Sequence, residues 1–163
     1  AGGPAAVIAP VAGGISYRSV WQSKPLSHRS LNLKKNPLSK TNPTGSTTLG
    51  KGAMVDIDPV TYFRNDIFGH LPWAIYKNRA GNDAEFVDAK FDLFIKGTNV
   101  GRFTLTLRHS FTRAAAAADD HNLPTELSWN EALPIIARTD LLDRTMTLLI
   151  DLGDRNHFAV EID

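Results

Sequence analysis

Residues 85–108 read EFVDAKFDLFIKGTNVGRFTLTLR. Over 102–108 the alternation is strict, with Phe103, Leu105 and Leu107 on one side and Arg102, Thr104, Thr106 and Arg108 on the other. Side chains two apart share one face of a strand, so this run predicts a strand with one face in a core. Residues 85–96 alternate less cleanly. Phe86, Phe91, Leu93 and Ile95 are apolar, Asp92 and Lys96 point the other way, and Phe94 breaks the pattern. The turn-rich residues 97–101 between the runs make them a hairpin.

Strand signals continue on both sides of this hairpin. Residues 17–22 alternate around Val20 and Trp21, 53–57 and 125–129 read as strands, and 71–77 is a short apolar stretch. Residues 145–151 and 157–162 form a closing hairpin around Gly153-Asp154. Helix signals are fewer. Asp58 can cap a short helix with Pro59 in its first turn, Val60, Phe63 and Ile67 on one face, and Gly69 as its stop. A second helix is predicted over 131–138, where Ser128 and Glu131 have the capping-box spacing. Alanines 114–118 suit one further helical turn. About seven strands in hairpins, two short helices and no internal repeat predict a mainly β protein, a seven-stranded open barrel with the helices as plugs.

The chain has 163 residues, 42% hydrophobic and 21% charged, which suits one domain with a real core. Residues 1–15 are rich in Ala, Gly, Pro and Val and carry no charge; they read as a linker or expression remnant, leaving 16–163 as the domain. No run is long and apolar enough to cross a membrane as a helix. Cysteine is absent, which excludes disulfides and thiolate metal sites and is compatible with a reducing, cytoplasmic location.

Net charge is +1, but it is unevenly placed. Residues 1–55 hold seven bases (Arg18, Lys24, Arg29, Lys34, Lys35, Lys40 and Lys51) and no acid, a net +7. The remaining 11 bases share residues 56–163 with all 17 acids, a net −6. A positive field gathered on one segment is what phosphate binding requires, although a solvated basic loop would look the same.

Catalytic patterns are sparse. No His is followed two residues later by Lys, as a phospholipase-D-type nuclease would need. Asp88-Ala89-Lys90, with Asp83 as a first acid, has the form of a metal-dependent nuclease triplet and supplies the alternative reading of a nuclease; a solvated strand residue is the plainer reading of Lys90. The five His residues lack metal-ligand spacing, and there is no nucleophile elbow or phosphate-cradling glycine loop. No metal or cofactor is expected.

Two polar insertions remain. The first, from residue 23, carries Lys24, Lys34, Lys35 and Lys40 for phosphates. Arg29 has the fork that reads guanine, and Asn32 and Asn42 can pair with adenine or a phosphate. Ser27, Thr44 and Ser46 are short polar groups suited to a nearby backbone. The tetrapeptide Asn42-Pro43-Thr44-Gly45 also suits an ordinary turn. The second insertion is preceded by Arg108 and His109, contains Arg113, Asp119, Asp120, His121 and Asn122, and is followed by Thr125. Mixed acid and base suits base reading, since Asp accepts from the cytosine amine; a solvated loop with Arg113 paired to Asp119 or Asp120 is equally compatible.

Ser23-Lys24-Pro25-Leu26-Ser27-His28-Arg29, Leu31-Asn32, Thr41-Asn42-Pro43-Thr44-Gly45-Ser46, Tyr62-Phe63-Arg64 and Phe68-Gly69 together resemble a known domain. It is the C-terminal B3-like DNA-recognition domain of phospholipase-D-type restriction endonucleases of the NgoFVII, NgoAVII, CglI and BfiI kind. Leu105, Leu107, His109, Asn122 and Leu127-Ser128-Trp129 fit the same pattern, which covers about residues 16–163. The resemblance implies a B3-like seven-stranded open barrel whose two arms, about 23–48 and 108–125, grip the major groove of double-stranded DNA at a short specific site. It implies a restriction-modification role in a bacterial cytoplasm, with cleavage left to a separate N-terminal nuclease domain, and a monomeric isolated domain. Base readout is then expected from Arg29, Asn42, Arg113, Asp120 and Asn122. Phosphate contact or support is expected from the lysines and Arg64, with Ser27, His28, Asn32, Thr44, Ser46, Arg108, His109, Asp119 and Thr125 completing the DNA-facing set.

Overall fold

A computed structural model describes residues 7–8, 15–34, 45–116 and 123–163. Its spine is the long hairpin, in which β5 (Asp83–Ile95) and β6 (Thr98–Ser110) pair antiparallel over most of their 13 residues each. The other strands are β1 (Val7–Ile8), β2 (Tyr17–Gln22), β3 (Ser46–Thr48), β4 (Ala74–Lys77), β7 (Thr125–Ser128), β8 (Met146–Asp151) and β9 (Asp154–Ile162). They form one nine-stranded sheet in the order β1-β2-β8-β9-β5-β6-β7-β3, with β4 joined to β5 beside that path. Apart from the very short β1 and β3, seven strands build a curled, open half-barrel with few short helices, the mainly β architecture that the alternation predicts. β1 lies inside the stretch read as a linker and pairs with β2 through Val7↔Arg18 and Ile8↔Tyr17. Among the described residues no helix is long and apolar enough to cross a membrane.

The β5 branching explains the curl. β9 runs parallel to its second half, Lys90↔His157 through Ile95↔Ile162, while β4 pairs with its first half, Ala74↔Phe86 through Lys77↔Asp83. Val87, Ala89, Phe91, Leu93 and Ile95 line the concave side with Leu105 and Leu107, and Trp21, Phe63 and Phe68 fill the opening. Phe94, the break in the alternation, serves the opposite face. It packs edge-on against Tyr17 with ring centroids 5.9 Å apart, in a second small core with Leu149 and Ala159.

Several local expectations change. The hairpin turn is Lys96-Gly97, both at positive φ, so β6 starts at Thr98 rather than after Gly101. Residues 53–57 are not a strand. Gly52 turns the chain at φ +59, and Met54 and Ile57 point into the core while Val55 is exposed. The helix expected after Asp58 is a π-helical turn, Tyr62–Ile67, with the Phe68 N–H bonded to Phe63 O at 3.0 Å; Phe63 and Ile67 are buried as expected, and Val60 only half-buried. The capping box at Ser128 does not form. That hydroxyl accepts a hydrogen bond from Arg108 Nη1, and a 3-10 turn (Asn130–Ala132) leads into a one-turn helix, Leu133–Ile136, without a side-chain cap. The helix near the alanine tract starts earlier, α1 (Phe111–Ala115), capped by Ser110 Oγ accepting from the Arg113 N–H at 3.2 Å; it takes in only Ala114 and Ala115, and Ala117 and Ala118 lie outside the described residues.

The two ends of the sheet path are sewn together after β3. The Trp21 indole N–H donates to Gly50 O at 2.9 Å, and the Ala53 N–H donates to Gln22 O at 2.9 Å. Gly52 sits in this seam so tightly that a Cβ would lie 2.4 Å from Gln22 O. On the convex side a polar ladder crosses four strands. Arg102 Nε donates to Asp92 Oδ1 at 2.7 Å, and His157 lies 3.0 Å from the same oxygen through Nε2 and 2.8 Å from Asp151 Oδ2 through Nδ1. Burial alone would raise the Asp92 pKa; hydrogen bonds from Arg102 and His157 outweigh it and hold the carboxyl below its ordinary 3.8. Gly52→Ala is expected to lower the unfolding free energy by at least about 1–3 kcal/mol, from the left-handed backbone and the collision together, read as a lower midpoint in urea.

Candidate nucleic-acid interface

The first insertion does not simply project. Its opening residues run along the chain before β8, with the Leu26 N–H on Arg144 O and the Asp143 N–H on Leu26 O, at 2.8 and 2.9 Å. Leu26 and Leu31 are buried in the main core, so scattered leucines that show no periodicity are anchors. Asn32 closes a neck. Held at φ 57, it donates from Nδ2 to Ser46 O at 3.2 Å, and its Oδ1 accepts from the Gly45 N–H at 2.7 Å. Asn32 therefore ties the last described turn of the insertion, residues 31–34, to Gly45 and Ser46, where the described chain resumes.

The second insertion is tied in the same manner. The Ser110 N–H donates to Pro124 O at 2.9 Å, and His109 Nδ1 lies 2.9 Å from Thr125 Oγ1. Burial pushes the His109 pKa below its ordinary 6.5; the nearby Glu85 charge opposes this and that of Arg64 adds to it. Arg64 holds Glu85 with two hydrogen bonds, 2.5 and 3.1 Å, and lies 4.5 Å over the Trp73 ring.

Both insertions leave the barrel from one stretch of rim. The Leu49 N–H donates to Thr125 O at 2.9 Å, and a Cβ on Gly50 would lie 2.9 Å from Leu123. Ala53 bonds Gln22, the residue before the first insertion. Residues 49–53 thus link the exit of one insertion to the return of the other.

On the described part of the first insertion Lys24, Arg29 and Lys34 are exposed and His28 is half-buried. Among the described residues these three cations have no ion-pair partner, and neither does Arg113, exposed on α1. Ser27 is exposed and exchanges hydrogen bonds with Ser30, the two hydroxyls 3.0 Å apart. Ser46 starts β3, where its carbonyl takes the Asn32 amide. Asn32, His109 and Thr125 are buried and engaged at the roots of the insertions, while the half-buried Arg64 and Arg108 are engaged with Glu85 and Ser128. Lys35, Lys40, Asn42, Thr44, Asp119, Asp120 and Asn122 lie outside the described residues. Lys51 escaped the sequence reading as a site residue. It is exposed on the rim segment between the two insertions, and its signal was the flanking pair Gly50 and Gly52, which force that segment into close contact.

The alternative nuclease triplet is not assembled. Asp83 and Asp88 are five residues apart on β5, so strand alternation sends them to opposite faces. Asp83 pairs with Lys77 at 2.7 Å, Asp88 accepts from Thr106 Oγ1 at 2.6 Å, and Lys90 donates to Thr104 Oγ1 at 2.6 Å. Among the described residues no group of three His, Asp or Glu side chains could hold a metal ion. The chain matches no family model, no curated protein and no solved structure.

A His with a folded pKa below its unfolded one adds stability that is present above the unfolded value and is lost as pH falls through it. Stability should therefore fall as pH drops below about 6.5, the ordinary histidine value. His109→Gln should flatten that part of the profile, as measured by urea midpoints at each pH.

Proposed function

We propose that this domain binds double-stranded DNA at a short specific site through its two insertions, and serves as the target-recognition part of a restriction endonuclease whose nuclease lies in another domain. The observation that carries the reading is the acid-free first third of the chain. Its described insertion cations, Lys24, Arg29 and Lys34, stand exposed and without an ion-pair partner among the described residues, on an insertion whose exit, Leu49, is bonded to Thr125 at the root of the second. Cations left free of internal partners are available to phosphates, whose counterions they displace. Arg29, with its planar fork, is the base reader of this set, and Arg113 on α1 its counterpart on the second insertion. Lys24, Lys34 and Lys51 hold the backbone, while Asn32, His109 and Thr125 keep both insertions at their roots.

Selection of bound sites from random duplexes, followed by gel-shift titration of the winner and of a scrambled duplex, tests this. Arg29→Ala should cost about 1–3 kcal/mol on the selected site and relax preference at one base pair. Lys34→Ala should weaken both duplexes alike and reduce the salt slope by about one. Retention of no duplex at low salt would overturn the reading; equal losses on both duplexes for Arg29→Ala would remove that residue from base readout.

A further inference from the structure

A cavity of about 490 Å³ opens at the end of the half-barrel where the β8–β9 turn meets the π-helical turn. Its apolar wall is Val20, Ile67, Ile150 and Phe158. Arg18, Asp66 and Arg155 line it as well, all three exposed. Two guanidinium groups and a carboxylate share one cavity, yet none of the three side chains has a hydrogen-bond or ion-pair partner among the described residues. The other two carboxylates there are engaged. Asp151 Oδ1 accepts from the Gly153 N–H at 2.8 Å while its Oδ2 faces His157, and Asp154 accepts from the Asn156 N–H at 2.9 Å.

This combination selects its ligand. A bare anion would meet three carboxylates, and a bare cation two free arginines. A neutral, planar body with a hydrogen-bond donor on its edge and a phosphate attached satisfies every group. The apolar wall covers the ring, Asp66 accepts from an amine, and Arg18 and Arg155 take phosphate oxygens. The volume falls within the roughly 300–1,000 Å³ range of small-molecule sites. Val20 precedes Ser23 by three residues of extended chain, which places the cavity about 10 Å from the start of the first insertion.

We propose that this cavity holds a nucleotide, its base against Val20, Ile67 and Ile150, its exocyclic amine on Asp66 and its phosphates on Arg18 and Arg155. On the DNA-binding reading, on which this source rests, the occupant is a base swung out of the bound duplex; a free mononucleotide offers the same chemistry. Extrusion costs a few kcal/mol of stacking and pairing, which contacts to the apolar wall and the three charged groups can offset.

Two measurements on the whole chain separate the sources. In the first, 2-aminopurine, which keeps a purine ring and an exocyclic amine, is walked through the selected duplex. A several-fold fluorescence rise at one position, lost in Asp66→Ala and in the Arg18→Ala/Arg155→Ala double variant while the duplex is still retained, is expected. In the second, cytidine and adenosine monophosphates are titrated while the methyl resonances of Val20, Ile67 and Ile150 are followed. Saturable shifts there without a duplex signal would support the site with a free nucleotide as its occupant. A retained duplex with neither signal would overturn the cavity proposal and leave the DNA-binding reading standing. If no duplex is retained, that reading falls, and the methyl titration alone decides the site.

Discussion

The indole of Trp21 carries the closure on which the rest of the molecule depends. A sheet that branches at β5 and curls by strand twist leaves β2, next to last at one end of the path, and β3, last at the other, unpaired to each other. The Trp21 N–H on Gly50 O, the Ala53 N–H on Gln22 O and the close approach at Gly52 join those ends without a strand ladder. Trp21 also meets Phe63 edge-on, with centroids 5.8 Å apart, so the same side chain ties the seam to the π-helical turn that plugs the opening. Were the seam to open, the start of the first insertion after Gln22 would lose its hold on residues 50–53, while β3 would stay paired with β7.

The convex face contributes a second constraint, of a different kind. Arg102, Asp92, His157 and Asp151 form a chain of contacts across β6, β5, β9 and β8, in the order of the sheet itself. Asp92 and His157 are buried, so each contact replaces water that neither group can reach. Asp92 has three partners, Arg102, Asn99 and His157, and His157 has two, Asp92 and Asp151, so truncating one member removes one link and leaves the others. The ladder therefore favours one register across strands that are far apart in sequence. Phe94 and Tyr17 pack beside it, which is why an aromatic at an outward position of β5 is not a fault in the pattern.

Functional polar groups divide by what the fold has already done with them. Asn32, Arg64, Arg108, His109 and Thr125 belong by type to a DNA-reading repertoire, but each has at least one side-chain hydrogen bond to an internal partner. Lys24, Arg29, Lys34 and Arg113 have no such partner among the described residues. A rigid root with free cations beyond it is the arrangement that fixes direction while leaving charge available to a polyanion.

The sequence by itself determined the β class, the long hairpin, the closing hairpin and the uneven charge. These follow from side-chain alternation and ionisable groups, which are local properties of the chain. Tertiary structure decided the rest. Gly52 defeats the strand suggested by 53–57, because its left-handed turn answers to Gln22, thirty residues earlier. Leu26 and Leu31 lie in a stretch with no period, yet the core lies beneath it. Ser128 was free to cap a helix until Arg108 claimed its hydroxyl. In each case the deciding partner is distant in the chain. Local pattern carries the period of an element, whereas the competition for a buried hydrogen bond or an apolar neighbour is settled only when the sheet closes.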